Sequence, residues 1–199
     1  MKRLRRLRRS IAGFTLIELL VILIIIGVLF AIAAPGWNAL LSRQRVSTAR
    51  EQVLQVIRQA QSDARTSRTT RAVVFDPNSG GIPRVANIPF PYTSGAAGKV
   101  LPVPTANVSN WVTLGNGDIK SNALIMTTNQ TSRAIVFDST GAVAQPPYVD
   151  APQTLPVTVT LAANATATGT RRCVVVDTLL GGVRLEEGAY NASTLKGCP

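Results

Sequence analysis

The pattern of apolar and polar positions divides the chain into three stretches. From Phe14 to Ala34 an apolar run of 21 residues carries a single charge, Glu18. After Pro35-Gly36 the pattern turns amphipathic. Leu40, Val46, Ala49, Val53, Val56, Ile57, Ala60 and Ala64 recur at three- and four-residue spacing. Arg43, Arg45, Arg50, Glu51, Arg58, Asp63 and Arg65 largely take the positions between. That periodicity predicts one long helix from Phe14 to about Arg71. At 1.5 Å per residue it would extend roughly 85 Å. Pro35 removes a ladder hydrogen bond, so a kink or melted turn is expected at Pro35-Gly36. Thr66, Ser67, Thr69 and Thr70 weaken the helix and mark its end.

Beyond Arg71 the period changes to that of strands. Residues 72–76 form one short strand and 77–81 a turn. Residues 82–110, rich in Pro, Gly, Ala and Asn, are expected to be a long irregular excursion. Residues 132–138, a turn at 139–141 and residues 142–144 read as a hairpin. Residues 155–161 alternate apolar with Thr or Pro and form a strand. Residues 171–180, Gly181-Gly182 and 183–185 form a last hairpin. The predicted class is α+β: a long N-terminal helical spine packed on an antiparallel β-sheet head. One modest domain plus an apolar helix is the natural content of 199 residues.

Charge changes the picture less than it first suggests. The formal charge is +11, a value that points toward nucleic acid. Six of the positives, Lys2, Arg3, Arg5, Arg6, Arg8 and Arg9, precede residue 14, which leaves +5 for the rest. Clustered basic residues beside an apolar helix are a topology signal that holds the N-terminus in the cytoplasm. The chain has no His, which removes the usual general base and metal ligand. The two cysteines are Cys173 and Cys198. If the C-terminal part lies across the membrane in an oxidising compartment, a disulfide between them is expected; two reduced, buried thiols are the alternative.

Ordinary explanations of the N-terminus fall short. A secretory signal has an apolar region of about 7–15 residues followed by a small-residue cleavage site; the run here is longer, although Ala31-Ile32-Ala33-Ala34 could serve as the site. A lipoprotein signal needs a Cys just after the apolar run, and the first Cys is residue 173. A plain transmembrane anchor fits the length but leaves Glu18 unexplained, a costly carboxylate one turn inside the segment. Gly13-Phe14-Thr15-Leu16-Ile17-Glu18-Leu19-Leu20, after a basic leader, resembles the type III signal of the type IV pilin and pseudopilin superfamily.

That resemblance implies specific roles. A prepilin peptidase would cut between Gly13 and Phe14 and N-methylate Phe14, removing residues 1–13 as a leader. Residues 14–36 would be the transmembrane or filament-core half of the helix, 37–71 its amphipathic half and 72–199 the head. Glu18 would pair in the filament with the Phe14 amine of a neighbouring subunit. Pro35, with Gly36 beside it, falls where many members bend the helix. The C-terminal hairpin and terminal Cys198 are similar to the GspH/FimT branch of minor pseudopilins. The implied partners are prepilin peptidase, other major and minor pilins or pseudopilins, and the inner membrane before assembly. The implied location is a single-pass inner-membrane protein with a periplasmic head, later part of a pseudopilus or pilus.

Other chemistry finds little support. Adjacent Glu186 and Glu187 point to opposite faces of a strand and do not form an acid/base pair. Asp76-Pro77-Asn78 and Asn116-Gly117-Asp118 lack a full calcium-loop spacing. No enzyme, cofactor or metal site is expected. The alternative function is DNA binding for uptake, because some FimT-like proteins use a Gly-Arg-x-Arg motif in this hairpin. Here Gly181-Gly182-Val183-Arg184 keeps only the second Arg. Arg171, Arg172 and Arg184 are the candidate phosphate contacts, with Glu186 and Glu187 opposing them. Arg43, Arg45 and Arg50 read as a solvated face or an intersubunit ion-pair set.

Overall fold

The computed structural model describes residues 13–90, 108–117, 122–146, 149, 152–163, 171–194 and 196–199. The expected leader, apart from Gly13, and most of the expected excursion after residue 90 lie outside the described residues. The chain forms two compact units, Met1–Leu41 and Ser42–Pro199. Helix α1, Leu16–Ser67, contributes residues to both.

Helix α1 ends four residues before the expected point, for a local reason. Arg68 adopts a left-handed conformation with φ of 51°, and the Thr69 amide donates back to the Ala64 carbonyl at 3.3 Å. This is the six-to-one bond of a Schellman cap, formed here around an arginine. The melted turn expected at Pro35-Gly36 is absent, and α1 continues through both residues. A helical φ suits proline, so the loss is confined to one N–H and a crowded carbonyl.

Among the described residues eight strands follow: β1 Arg71–Ser79, β2 Ile82–Pro89, β3 Val112–Thr113, β4 Ile125–Thr128, β5 Ala134–Phe137, β6 Val157–Ala162, β7 Arg172–Val176 and β8 Val183–Glu187. They pair antiparallel in two four-stranded sheets, ordered β3-β2-β1-β5 and β4-β6-β7-β8. The α+β class is therefore as expected. The expected irregular excursion is corrected at its start. Residues 82–89 are a strand, because Ile82 to Ile88 supplies apolar partners for β1. Its two prolines sit near the strand ends, where a missing N–H costs little. The β1–β2 turn uses Gly80 and Gly81, with φ of 63° and 82°, as a two-residue hairpin of right-twisted strands requires.

Both sheets pack on the same helical stripe. Val46, Val53, Ile57, Ala60 and Ala64 join Val73, Phe75, Val85, Ile135 and Phe137 of the first sheet. Leu124, Met126, Val157, Val159, Leu161, Val174 and Val176 complete the core from the second sheet and its approach. The opposite face of the first sheet buries Ala72 and Val136 with Phe90, Ala144 and Val149. Buried Gln153 completes that layer. Its Oε1 accepts from the Val136 amide at 2.9 Å, and its Nε2 donates to the Val136 and Ala144 carbonyls, each at 2.9 Å. One side-chain amide thus stands in for a neighbouring strand at the edge of β5.

Cys173 and Cys198 are joined, both fully buried, with Val175 beside them on the face of the second sheet turned from α1. The bond closes a 25-residue separation. On loop-closure grounds Cys198→Ser should lower the unfolding free energy by about 2–4 kcal/mol. Chemical denaturation with and without reductant measures this; an unchanged midpoint for Cys198→Ser would show that the tail is held without the bond.

Candidate functional site

Every described side chain from Phe14 to Ile32 is exposed within the chain. Leu16 is 84% exposed and Phe30 71%. Among the described residues no helix is long and apolar enough to cross a membrane; the described apolar side chains of this segment end at Ile32. An apolar surface of this extent has no cover among the described residues and marks a site of association.

The start of α1 is built by Thr15. Its Oγ1 accepts from the Glu18 amide at 3.3 Å, and its carbonyl accepts from the Leu19 amide at 3.2 Å. Thr15 is therefore the N-cap and Glu18 the third helical residue, the Thr-x-x-Glu spacing of a capping box. The helix dipole favours a carboxylate there. The spacing is visible in the sequence, but only the Thr15 half of the box is formed: the Glu18 carboxylate makes no return bond to the Thr15 amide. Among the described residues the Glu18 side chain has no hydrogen-bond or ion-pair partner. Gly13, just before the cap, meets nothing within 4 Å of where a Cβ would stand, and the same holds for Gly27 inside α1. Packing within the chain therefore demands glycine at neither position. Gly27 costs α1 about 1 kcal/mol of helix propensity.

In the second unit several charged residues of α1 and the β7–β8 hairpin are paired with one another. Arg50 is only 9% exposed. Its Nη1 donates to Glu187 Oε1 at 2.8 Å, and its Nη2 lies 3.3 Å from Glu51 Oε1. Arg172 Nε is 3.6 Å from the same Glu187 oxygen, and its Nη1 donates to Ser47 Oγ at 2.5 Å. This cluster fastens the β7–β8 hairpin to α1. The reading of Arg50 as a solvated or intersubunit charge is thus corrected: its partner is Glu187, 137 residues away. Nothing local in the sequence signals that pairing.

Arg184 lies on the other face of the hairpin. Its Nη1 pairs with Glu186 Oε1, and its Nε lies 3.4 Å from Asp177 Oδ2. Glu186 Oε2 also accepts from the Gly197 amide at 3.1 Å. Glu186 and Glu187 do point to opposite faces, as adjacent strand residues must. The three arginines offered as phosphate contacts are therefore not brought together. Arg172 turns to the helix and Arg184 away from it, each with an acid. Arg171 makes no ion pair among the described residues. Gly182 stands where the DNA-binding motif has its first Arg; a Cβ there would come within 2.8 Å of Thr178 Oγ1. Asp76, weighed as a cation ligand, pairs with Arg84 at 2.8 Å.

Residues 8–34 match the family described as the prokaryotic N-terminal methylation motif. The match supports the resemblance to the type IV pilin-like superfamily read from the sequence. No curated protein matches the chain. Among solved structures the chain is similar to the type IV minor pilin FimU of Pseudomonas aeruginosa, strain PAO1, in two crystal forms. The first match has 16% identity and a TM-score of 0.46, covering 72% of this chain and 90% of that one. The second has 16% identity and a TM-score of 0.42, covering 70% and 91%.

The Arg50 cluster yields a stability test. Glu187→Ala leaves the buried Arg50 guanidinium with only exposed Glu51, so stability should fall by about 1–2 kcal/mol. Denaturant unfolding of the variant beside Glu51→Ala checks this. A Glu51→Ala loss equal to that of Glu187→Ala would contradict the assignment of Glu187 as the principal partner.

Proposed function

We propose that this chain is a structural subunit of a type IV pilin-like filament. The observation that carries the reading is the N-terminal segment: an apolar helix open on all sides, a carboxylate in its first turn, and the methylation motif over the same residues. Each part has a role in assembly. Gly13 gives an open, uncrowded bond for prepilin peptidase to cut. Phe14 then carries the new amine, which is N-methylated. Glu18 approaches the amine of a neighbouring subunit, and a low-dielectric filament core strengthens the pairing. Gly27 lets another helix come close, and Pro35-Gly36 is the point at which α1 can bend on packing. Before assembly the segment resides in the inner membrane, with the head, residues 72–199, in the periplasm.

Within that reading the chain is a minor subunit of the GspH/FimT kind, at or near the tip of a type II secretion pseudopilus or a type IV pilus. What supports this is the C-terminal β7–β8 hairpin with its disulfide to the last turn of chain. The chemistry required is positional rather than catalytic: residues 14–36 provide the packing surface, and the β-rich unit provides contacts.

Two measurements test the proposal. The intact mass of the chain from its native host should correspond to a start at Phe14 plus one methyl group; a start at Met1 sinks the reading. Glu18→Ala should be cut normally yet enter filaments at about a tenth of the wild-type level or less, the loss expected when an ion pair in a dry interior is broken. Wild-type incorporation of that variant would remove the pairing role.

A further inference from the structure

The two sheets treat their edges differently. The edge of β5 is closed by Gln153 and by the Val143–Ala144 segment. The opposite edge strand of that sheet, β3, is only two residues long. Short or covered edges are how proteins prevent strand-to-strand association. Strand β8 is neither that short nor covered among the described residues; what it carries is charge of both signs, in Arg184, Glu186 and Glu187. It is the edge of the second sheet, five residues long, and among the described residues nothing pairs with its outer side.

The register identifies the free groups. The Asp177 amide donates to the Gly182 carbonyl and the Gly188 amide to the Arg171 carbonyl, each at 2.9 Å. With the β7–β8 pairing of Val175 with Arg184 and Cys173 with Glu186, even-numbered residues of β8 direct their backbone groups at β7. The N–H and C=O groups of Val183, Leu185 and Glu187 therefore face outward. Leu185 is 40% exposed, a large apolar side chain in the middle of this open edge.

We infer that β8 is an interface for a second copy of this chain, pairing antiparallel with β8 of that copy about Leu185. The charges select this occupant. In that register Leu185 meets Leu185 of the second copy, and Arg184 stands opposite Glu186 of the second copy, and the reverse. Arg184 and Glu186 share one face of the strand and already attract each other in the single chain. The two-fold arrangement therefore gives alternating signs, with no like charges opposed. A two-fold interface requires that self-complementarity. The outward backbone groups of each copy find their partners in the other, so the two second sheets become one continuous sheet. The inference rests on β8 alone and is independent of the filament assignment.

Pairwise co-capture tests it, using full-length chain in detergent micelles with two different affinity tags. Wild type should capture wild type. Leu185→Pro removes only an outward-facing N–H, so it should fold with the native disulfide while capture falls about tenfold or more. Arg184→Glu and Glu186→Arg should each fail to capture their own kind, because like charges then face each other. Mixed together, they should capture one another at least about tenfold better than either captures itself. Absence of wild-type capture, capture undiminished by Leu185→Pro, or failure of the mixed pair would each overturn the pairing. If Leu185→Pro does not fold, the mixed charge pair decides alone.

Discussion

Water does not tolerate an apolar helix left open on every side, and the segment from Phe14 to Ile32 is one. Burying a single Leu or Ile side chain stabilises by about 1.5–3 kcal/mol, so covering this stretch is worth on the order of tens of kcal/mol. Among the described residues nothing supplies the cover. Under the proposed function the segment is covered by lipid first and by other helices after assembly. Glu18 decides how such a segment behaves. In lipid it is a liability; beside an amine in a packed interior, as proposed, it would specify register. Its place in the first turn, under the Thr15 cap, keeps the carboxylate near the N-terminus of its own helix, where its side chain has no partner among the described residues.

The same helix meets a different demand further along. From Val46 to Ala64 only one stripe is apolar, and two sheets share it. Because both sheets pack on one stripe, the β-rich unit needs fasteners at the margins. Arg50, Arg172, Ser47 and Glu187 form one on the β7–β8 side. Gln61 forms another, donating from Nε2 to the Gly181 carbonyl at 2.7 Å in the hairpin turn. These bonds hold the hairpin to the helix at both ends of β7–β8. Among the described residues nothing pairs with the outer edge of β8, the condition for its pairing with another strand.

Much of this was legible in the sequence, and the failures have physical causes. The motif, the long helix and the strands β1, β5, β6, β7 and β8 announce themselves through spacing and apolar runs. The pairing of Cys173 with Cys198 follows once an oxidising compartment is granted. Strand β2 was hidden by Pro83 and Pro89, which read as breakers although a strand tolerates them near its ends. Strands β3 and β4 are too short for any period to show. The Arg50–Glu187 contact joins residues far apart in sequence, so a charge that looked solvated proved buried. Gln153 is polar, yet it sits in the core because its amide replaces a strand. Periodicity reports local structure; it does not report which distant group completes a buried charge or amide.

The central proposal is that Glu18, which has no partner among the described residues, pairs with the N-terminal amine of another subunit. Filaments assembled from this chain carrying ¹³C-labelled glutamate carboxyls, with ¹⁵N-labelled neighbouring subunits, test it directly by solid-state NMR. The account predicts a dipolar contact between the ionised Glu18 carboxyl carbon and a neighbour's N-terminal nitrogen, at an ion-pair separation of about 4 Å. A protonated Glu18 carboxyl with no amine nitrogen in range would contradict it.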